Sequence, residues 1–183
     1  MSTPEPDFSA VYTAFHPKIL RYVTRLVGEA EAEDVTQDVF VKVSQALGTF
    51  RGEAQLSTWI YRIATNAAID KTRSPSFRQG AEQRELEDLD EAGPADAFTG
   101  EAPASLEQLR MHQEMIECFI SFLDRLPLDY RTVFALADLE ELSNAEIADI
   151  LGVSVETVKM RLHRGRARLI QELKAHCKAE DWL

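Results

Sequence analysis

Cysteine is scarce in this chain of 183 residues: only Cys118 and Cys177 are present. Two cysteines make no disulfide framework. His112 with Cys118, and His176 beside Cys177, match no closed zinc-ligand spacing, so no metal is expected. No run of 18 apolar residues occurs, which leaves nothing to span a bilayer. The start, MSTPEPDFSA, lacks the basic and apolar regions of a secretory signal, so a cytoplasmic protein is expected. The 8 glycines form no phosphate cradle, and the 4 histidines (His16, His112, His163, His176) are scattered. With no nucleophile–base pair to argue, neither a catalytic residue nor a cofactor is expected. Positive charge is also in deficit, the formal net charge being −11. A chain this acidic grips nucleic acid weakly by itself, because non-specific affinity comes mainly from phosphate neutralisation.

What is present is helical periodicity. Val11, Phe15, Ile19, Tyr22, Val23 and Leu26 recur at helical spacing, with Pro17 expected to kink or break the helix before Gly28 ends it. The acid-rich stretch from Glu29 to Asp34 suits a first helical turn. Val35, Val39, Phe40, Val43 and Leu47 make the next inward stripe, with Asp34, Gln37, Asp38 and Lys42 towards the outer side. A turn at Phe50-Arg51-Gly52 follows, and Ser57 is expected to cap a third helix, TWIYRIATNAAIDKTR. On it Arg62, Asn66, Asp70 and Arg73 share a face, a row equally suited to bonding bases or phosphates and to pairing in water.

Residues Ser74 to Ala104 change character, with Pro75, Pro94 and Pro103 and eight acids against Arg78 and Arg84. Little there can be buried, so it reads as a flexible acidic linker, either a plain tether or an acidic strand for a positively charged channel in a partner. Helix resumes at Ser105, and Leu126-Pro127 ends it and opens another, LDYRTVFALADLE. Next comes LSNAEIADILGVSVETVKMRLHRGRARLIQEL. Ser143 and Glu146 have capping-box spacing, Ile147, Ala148 and Leu151 share a face, Gly152 breaks the helix, and Ser154 can cap a second one. Val158, Leu162, Gly165, Leu169 and Leu173 form its inward stripe. Thr157, Met160, Arg161, Arg164 and Arg168 lie opposite, and Lys159, Arg161, Arg164, Arg166 and Arg168 occur without an intervening acid. A solvated helix would carry Glu at i, i+4; its absence points to a helix-turn-helix whose second helix contacts DNA. The expected fold is therefore all-α: two small helical domains, residues 8–73 and 106–175, joined by the linker 74–105.

The sequence resembles a bacterial sigma factor of the extracytoplasmic-function (ECF, group IV) class of the sigma-70 family. FHPKILRYVTRLVG, AEDVTQDVFVKV and FRGEAQLSTWIYRIATNAAIDKTR resemble the sigma-2 domain, and LPLDYRTVFALADLEELSNAEIADILGVSVETVKMRLHRGRARL resembles sigma-4. The resemblance implies core RNA polymerase and promoter DNA as partners, and in many relatives an anti-sigma factor. It implies that Asp34, Gln37 and Asp38 dock on the polymerase clamp helices. It assigns Phe50, Arg51 and Gly52 to capture of a flipped minus-10 base, and Asn66, Asp70 and Arg73 to reading and melting that element. Thr157, Lys159, Met160, Arg161, His163 and Arg164 would lie at the minus-35 major groove. The alternative left by the residues alone is a stand-alone dimeric helix-turn-helix regulator.

Overall fold

The computed structural model describes residues 7–52, 54–77 and 119–176, with side chains as far as 173. Every regular element among them is helical. Helix α1 (Phe8–Val27) starts at Asp7, whose carboxylate accepts from the Ala10 N–H at 3.2 Å, and stops at Gly28, where φ is +80°. It runs unbroken through Pro17, so the alternative of a local break is not realised. Both Pro17 and Thr13, whose carbonyl Pro17 cannot bond, are exposed, so water can satisfy the orphan group. Helix α2 (Glu29–Ala46) buries Val35, Val39, Phe40 and Val43, and Leu47 closes the stripe in a short 3-10 turn at Leu47–Thr49.

Helix α3 (Leu56–Arg73) begins one residue before the expected cap. Gln55 occupies the N-cap position without a side-chain bond, and the Trp59 N–H already bonds the Gln55 carbonyl at 3.1 Å. Ser57 is inside the first turn and cannot cap. The three helices pack on one another around Ile19, Tyr22, Val39, Val43, Ile60 and Ala64. Tyr22 is wholly buried, and its hydroxyl shares a 2.8 Å bond with Thr65 Oγ1. Loss of water around that phenol pushes its pKa far above the ordinary tyrosine value. Lys71 on α3 pairs with Glu31 on α2 at 2.6 Å.

The later part is described from residue 119. Helix α4 (119–125) leads through Pro127 into α5 (Leu128–Phe134), which widens into a π turn over Ala135–Leu139. Helix α6 (Asn144–Leu151) carries the complete capping box. Ser143 Oγ accepts from the Glu146 N–H at 3.3 Å, and Glu146 accepts from the Ser143 N–H at 2.9 Å. Gly152 ends α6 in the left-handed region, and Ser154 Oγ caps α7 (Val155–His176) through the Thr157 N–H at 3.1 Å. Val158, Leu162, Gly165 and Leu169 are buried as the stripe requires. The cores of the two helical groups are continuous: Val133, Leu136, Ile147, Ile150 and Val158 join the cluster built on α1–α3. Most of the acidic stretch and the start of the following helix, with Cys118, lie outside the described residues.

Candidate nucleic-acid interface

A helix-turn-helix needs its second helix fixed at an angle with its outer face free. Here the fixing comes from two caps, a left-handed glycine and a close helix contact. At Gly165 an added Cβ would meet the Phe134 ring at 2.6 Å, so α7 lies directly on α5 there. Lys159, Met160, His163 and Arg164 are exposed on the outer face, and Thr157 is half-buried near its start. Arg161 is not free: its guanidinium pairs with Asp129, at the start of α5, at 2.9 Å. Arg168 lies over the Tyr130 ring, 5.2 Å from its centre. The basic face thus comprises an open set and a set braced against α5.

Asp34, Gln37 and Asp38 are exposed together along the outer side of α2. Three residues on, the exposed Val41 extends this face. An aromatic cluster borders α2: Tyr12 packs on Phe40 and on His16, with ring centres 4.9 and 4.7 Å apart. At the turn before α3, Arg51 and Gly52 are exposed, and Phe50 is half-buried against Trp59, ring centres 5.2 Å apart. Gly52 adopts φ +69°, which a side chain would disfavour. Trp59, itself half-buried, supports the loop side chain.

Asn66, Asp70 and Arg73 are exposed along one side of α3. Arg62, in the same row, has its ion-pair partner on the second module and not on its own helix. It pairs with Asp149 of α6 at 3.1 Å and donates to the Asp149 carbonyl at 2.6 Å. Sequence reasoning also missed Glu140, Tyr61 and Arg131. Glu140 accepts from Arg21 at 2.8 Å and from the Tyr61 hydroxyl, with its side chain only 3% exposed. Burial, then the neighbouring Glu140 carboxylate, pushes the Tyr61 phenol well above its usual range. Arg131 donates to the carbonyls of Leu126 and, at 3.5 Å, of Leu26. Burial lowers its pKa, and the nearby Asp124 opposes that shift. Among the described residues no cluster of three or more His, Cys, Asp or Glu could hold a metal. No described helix is long and apolar enough to cross a membrane.

Two helical modules, one bearing a helix-turn-helix with an open basic face and the other an exposed acidic face beside a polar row, describe a DNA-binding protein of the helix-turn-helix class. Comparison with known proteins makes this particular. Residues 11–77 match the family described as Sigma-70 region 2, and residues 116–169 match Sigma-70, region 4. The chain is 36% identical over 173 residues to the ECF RNA polymerase sigma factor SigW of Bacillus subtilis, covering 91% of this chain and 89% of that protein. It is 30% identical over 163 residues to the ECF RNA polymerase sigma-E factor of Escherichia coli K12, covering 87% and 82%. In fold it is similar to the sigma factor RpoE bound to the anti-sigma factor NepR from Bartonella quintana (TM-score 0.66, 23% identity, covering 93% and 98%). It is also similar to CnrH in complex with the cytosolic domain of CnrY (TM-score 0.61, 23% identity, covering 92% and 88%). The chain belongs to the ECF class of the sigma-70 family. It is an alternative sigma factor, which binds core RNA polymerase and directs promoter-specific initiation of transcription.

Proposed function

We propose that residues 8–73 form the module that docks on core polymerase and reads and melts the minus-10 element, and that residues 106–175 form the minus-35 reader, with 74–105 as an acidic linker between them. The observation that carries this division is the placement of two separate polar faces on one scaffold, the exposed basic face of α7 and the Asn66–Asp70–Arg73 row of α3. Asp34, Gln37 and Asp38 serve as the acidic dock for basic clamp helices, where charge complementarity favours encounter. Phe50, Arg51 and Gly52 form the rim that receives a flipped minus-10 base, whose extrusion costs a few kcal/mol and needs a pocket to offset it. Thr157, Lys159, Met160, Arg161, His163 and Arg164 face the minus-35 major groove. Within this set Arg164 is the open arginine available for bidentate contact with guanine, and Arg161, tied to Asp129, is braced.

The protein acts without catalysis of its own, in the cytoplasm where the polymerase works. The cleft between α3 and α6 gives an anti-sigma factor a place to enter. The reading is tested by titrating the purified chain against core RNA polymerase and following promoter opening by the complex. Tight binding and promoter-dependent opening are expected. Duplex binding by a dimer of the chain, without affinity for core, would replace it with the stand-alone regulator.

A further inference from the structure

The basic residues from Lys159 to Arg168 are not equally available. Lys159 and Arg164 are exposed and in no ion pair among the described residues. Arg168 lies over the Tyr130 ring, and Arg166 reaches Asp138 only at 3.4 Å, with both side chains about half exposed. Arg161 is different. Its Nη2 lies 2.9 Å from Asp129 Oδ2, and its side chain is 24% exposed against 66% for that of Asp129. The pair sits in a notch of about 250 Å³ between the start of α5 and α7, lined also by Met160 and Arg164. Asp129 therefore stands next to the base-reading set although it belongs to another helix.

The backbone fixes this placement. Pro127 opens α5, and its carbonyl accepts from the Tyr130 and Arg131 N–H groups at 2.9 and 3.1 Å. Arg131 roots the same turn by donating to the Leu126 carbonyl at 3.2 Å. Further along, Phe134 meets α7 at Gly165. Residues 129, 130 and 134 of α5 thus meet residues 161, 168 and 165 of α7, and the helix contact sets where the Asp129 carboxylate stands. A carboxylate in a first helical turn also meets the positive helix end, which alone would explain an acid there. It does not explain the partner, since a first-turn acid needs no arginine.

The pairing has two consequences. A guanidinium carries five N–H donors in a rigid fork, and a carboxylate at one nitrogen leaves the others on offer. Fixed in this way, Arg161 loses less freedom on meeting a base edge than an untied arginine does. Its charge is also compensated, because an exposed carboxylate 2.9 Å away repels an approaching phosphate. Arg161 then adds little to the sequence-independent grip, which comes from phosphate neutralisation. It adds more to discrimination, which comes from base edges.

We infer that Asp129 is a positioning residue for minus-35 recognition: it holds Arg161 beside Arg164 in the orientation that meets base edges, and withholds it from the DNA backbone. The inference rests on the assignment of α7 as the minus-35 reader given above.

The test uses holoenzyme reconstituted with the full chain, as wild type, Asp129→Asn, Asp138→Asn, Arg161→Ala, Arg164→Ala, and Asp129→Asn combined with Arg161→Ala. Asparagine is close in size to aspartate and residue 129 is exposed, so helix content should be kept, as circular dichroism verifies. Competition binding compares a minus-35 duplex selected by run-off transcription, its single-base variants and random duplex, from about 0.05 to about 0.2 M salt. Asp129→Asn should lower discrimination at one minus-35 base pair by about fivefold or more. It should strengthen binding to random duplex by about eightfold at about 0.1 M salt and steepen the log–log salt slope by about 0.9, as one added phosphate contact would. Asp138→Asn makes the same charge change at the other end of α5 and should leave the base preference as it was. In the Arg161→Ala background, Asp129→Asn should change neither base preference nor slope. Unchanged base preference in Asp129→Asn overturns the inference, and so does an equal loss in Asp138→Asn or in the Arg161→Ala background. Lowered discrimination without stronger binding to random duplex overturns the withholding half. Failure of the α7 assignment shows separately, as full minus-35 discrimination retained by both Arg161→Ala and Arg164→Ala.

Discussion

Replacing Gly165 by alanine sets two effects of known sign against each other. In a helix interior the change normally stabilises by about 1 kcal/mol, because alanine loses less backbone freedom on folding. Gly165 has ordinary helical φ, so that gain is available. The new Cβ, however, would stand 2.6 Å from one edge atom of the Phe134 ring, 3.3 Å from the next and 3.5 Å from Tyr130 Cβ. Phe134 is 6% exposed, and its ring is a rigid plate within the packing, so α7 and α5 must separate. Overpacking of this kind costs about 1–3 kcal/mol. The expected net is a loss of about 1 kcal/mol, a fall in Tm of about 2–4 °C for a chain this long. Urea and thermal unfolding measure it directly. The shift also tilts the recognition helix, so minus-35-dependent transcription should fall by more than the stability loss accounts for. Gly165→Ala combined with Phe134→Leu, which removes the ring edge, should recover part of both losses. A Gly165→Ala protein as stable as the wild type or more so would refute the close-contact argument, since propensity alone would then govern the site.

Three further outcomes follow from the same structure. Asp34→Lys with Asp38→Lys reverses the exposed face of α2 and should weaken core polymerase binding at least tenfold with unchanged unfolding, as measured by titration with labelled core. Arg164→Ala should lower discrimination at one minus-35 position by about 1–3 kcal/mol in competition binding of holoenzyme, because its guanidinium is free of ion pairs among the described residues. Ser143→Ala should cost about 1 kcal/mol at neutral pH. Bonds from the Ser143 hydroxyl and backbone lower the Glu146 pKa. Its contribution is therefore full above the unfolded carboxylate value and is lost as pH falls through the lower folded value. The stability gap between Ser143→Ala and wild type should narrow in acid, and a gap constant with pH would remove Glu146 from the cap.

The local features were legible because their causes are local. The capping box, the glycine ends at Gly28 and Gly152 and the inward stripes of α2 and α7 each follow from residues within a few positions. Ser57 misled as a cap, and Pro17 as a break, for the same reason. A proline's cost depends on whether the orphaned carbonyl meets water, and a serine caps only when its own backbone lies outside the helix. The inter-module contacts left no trace in periodicity. Glu140 lies 119 residues from Arg21 and 79 from Tyr61, and in the run DLEELS it reads as one acid among several. Arg62 looked like a member of a solvent or DNA row because its partner, Asp149, comes 87 residues later.

That long-range pairing bears on why so acidic a chain recognises promoters. With net charge −11 the free protein repels a polyanion at distance, and the basic residues of α7 are too few to reverse this. Some of its cations are also already occupied: Arg21, Arg62, Arg161 and Arg166 each pair with a carboxylate of the same chain. Two of these pairs, Arg21–Glu140 and Arg62–Asp149, cross between the modules, so separating the modules removes both at once. That would free Arg21 and Arg62 for phosphates, whereas Asn66, Asp70 and Arg73 are exposed with the modules packed.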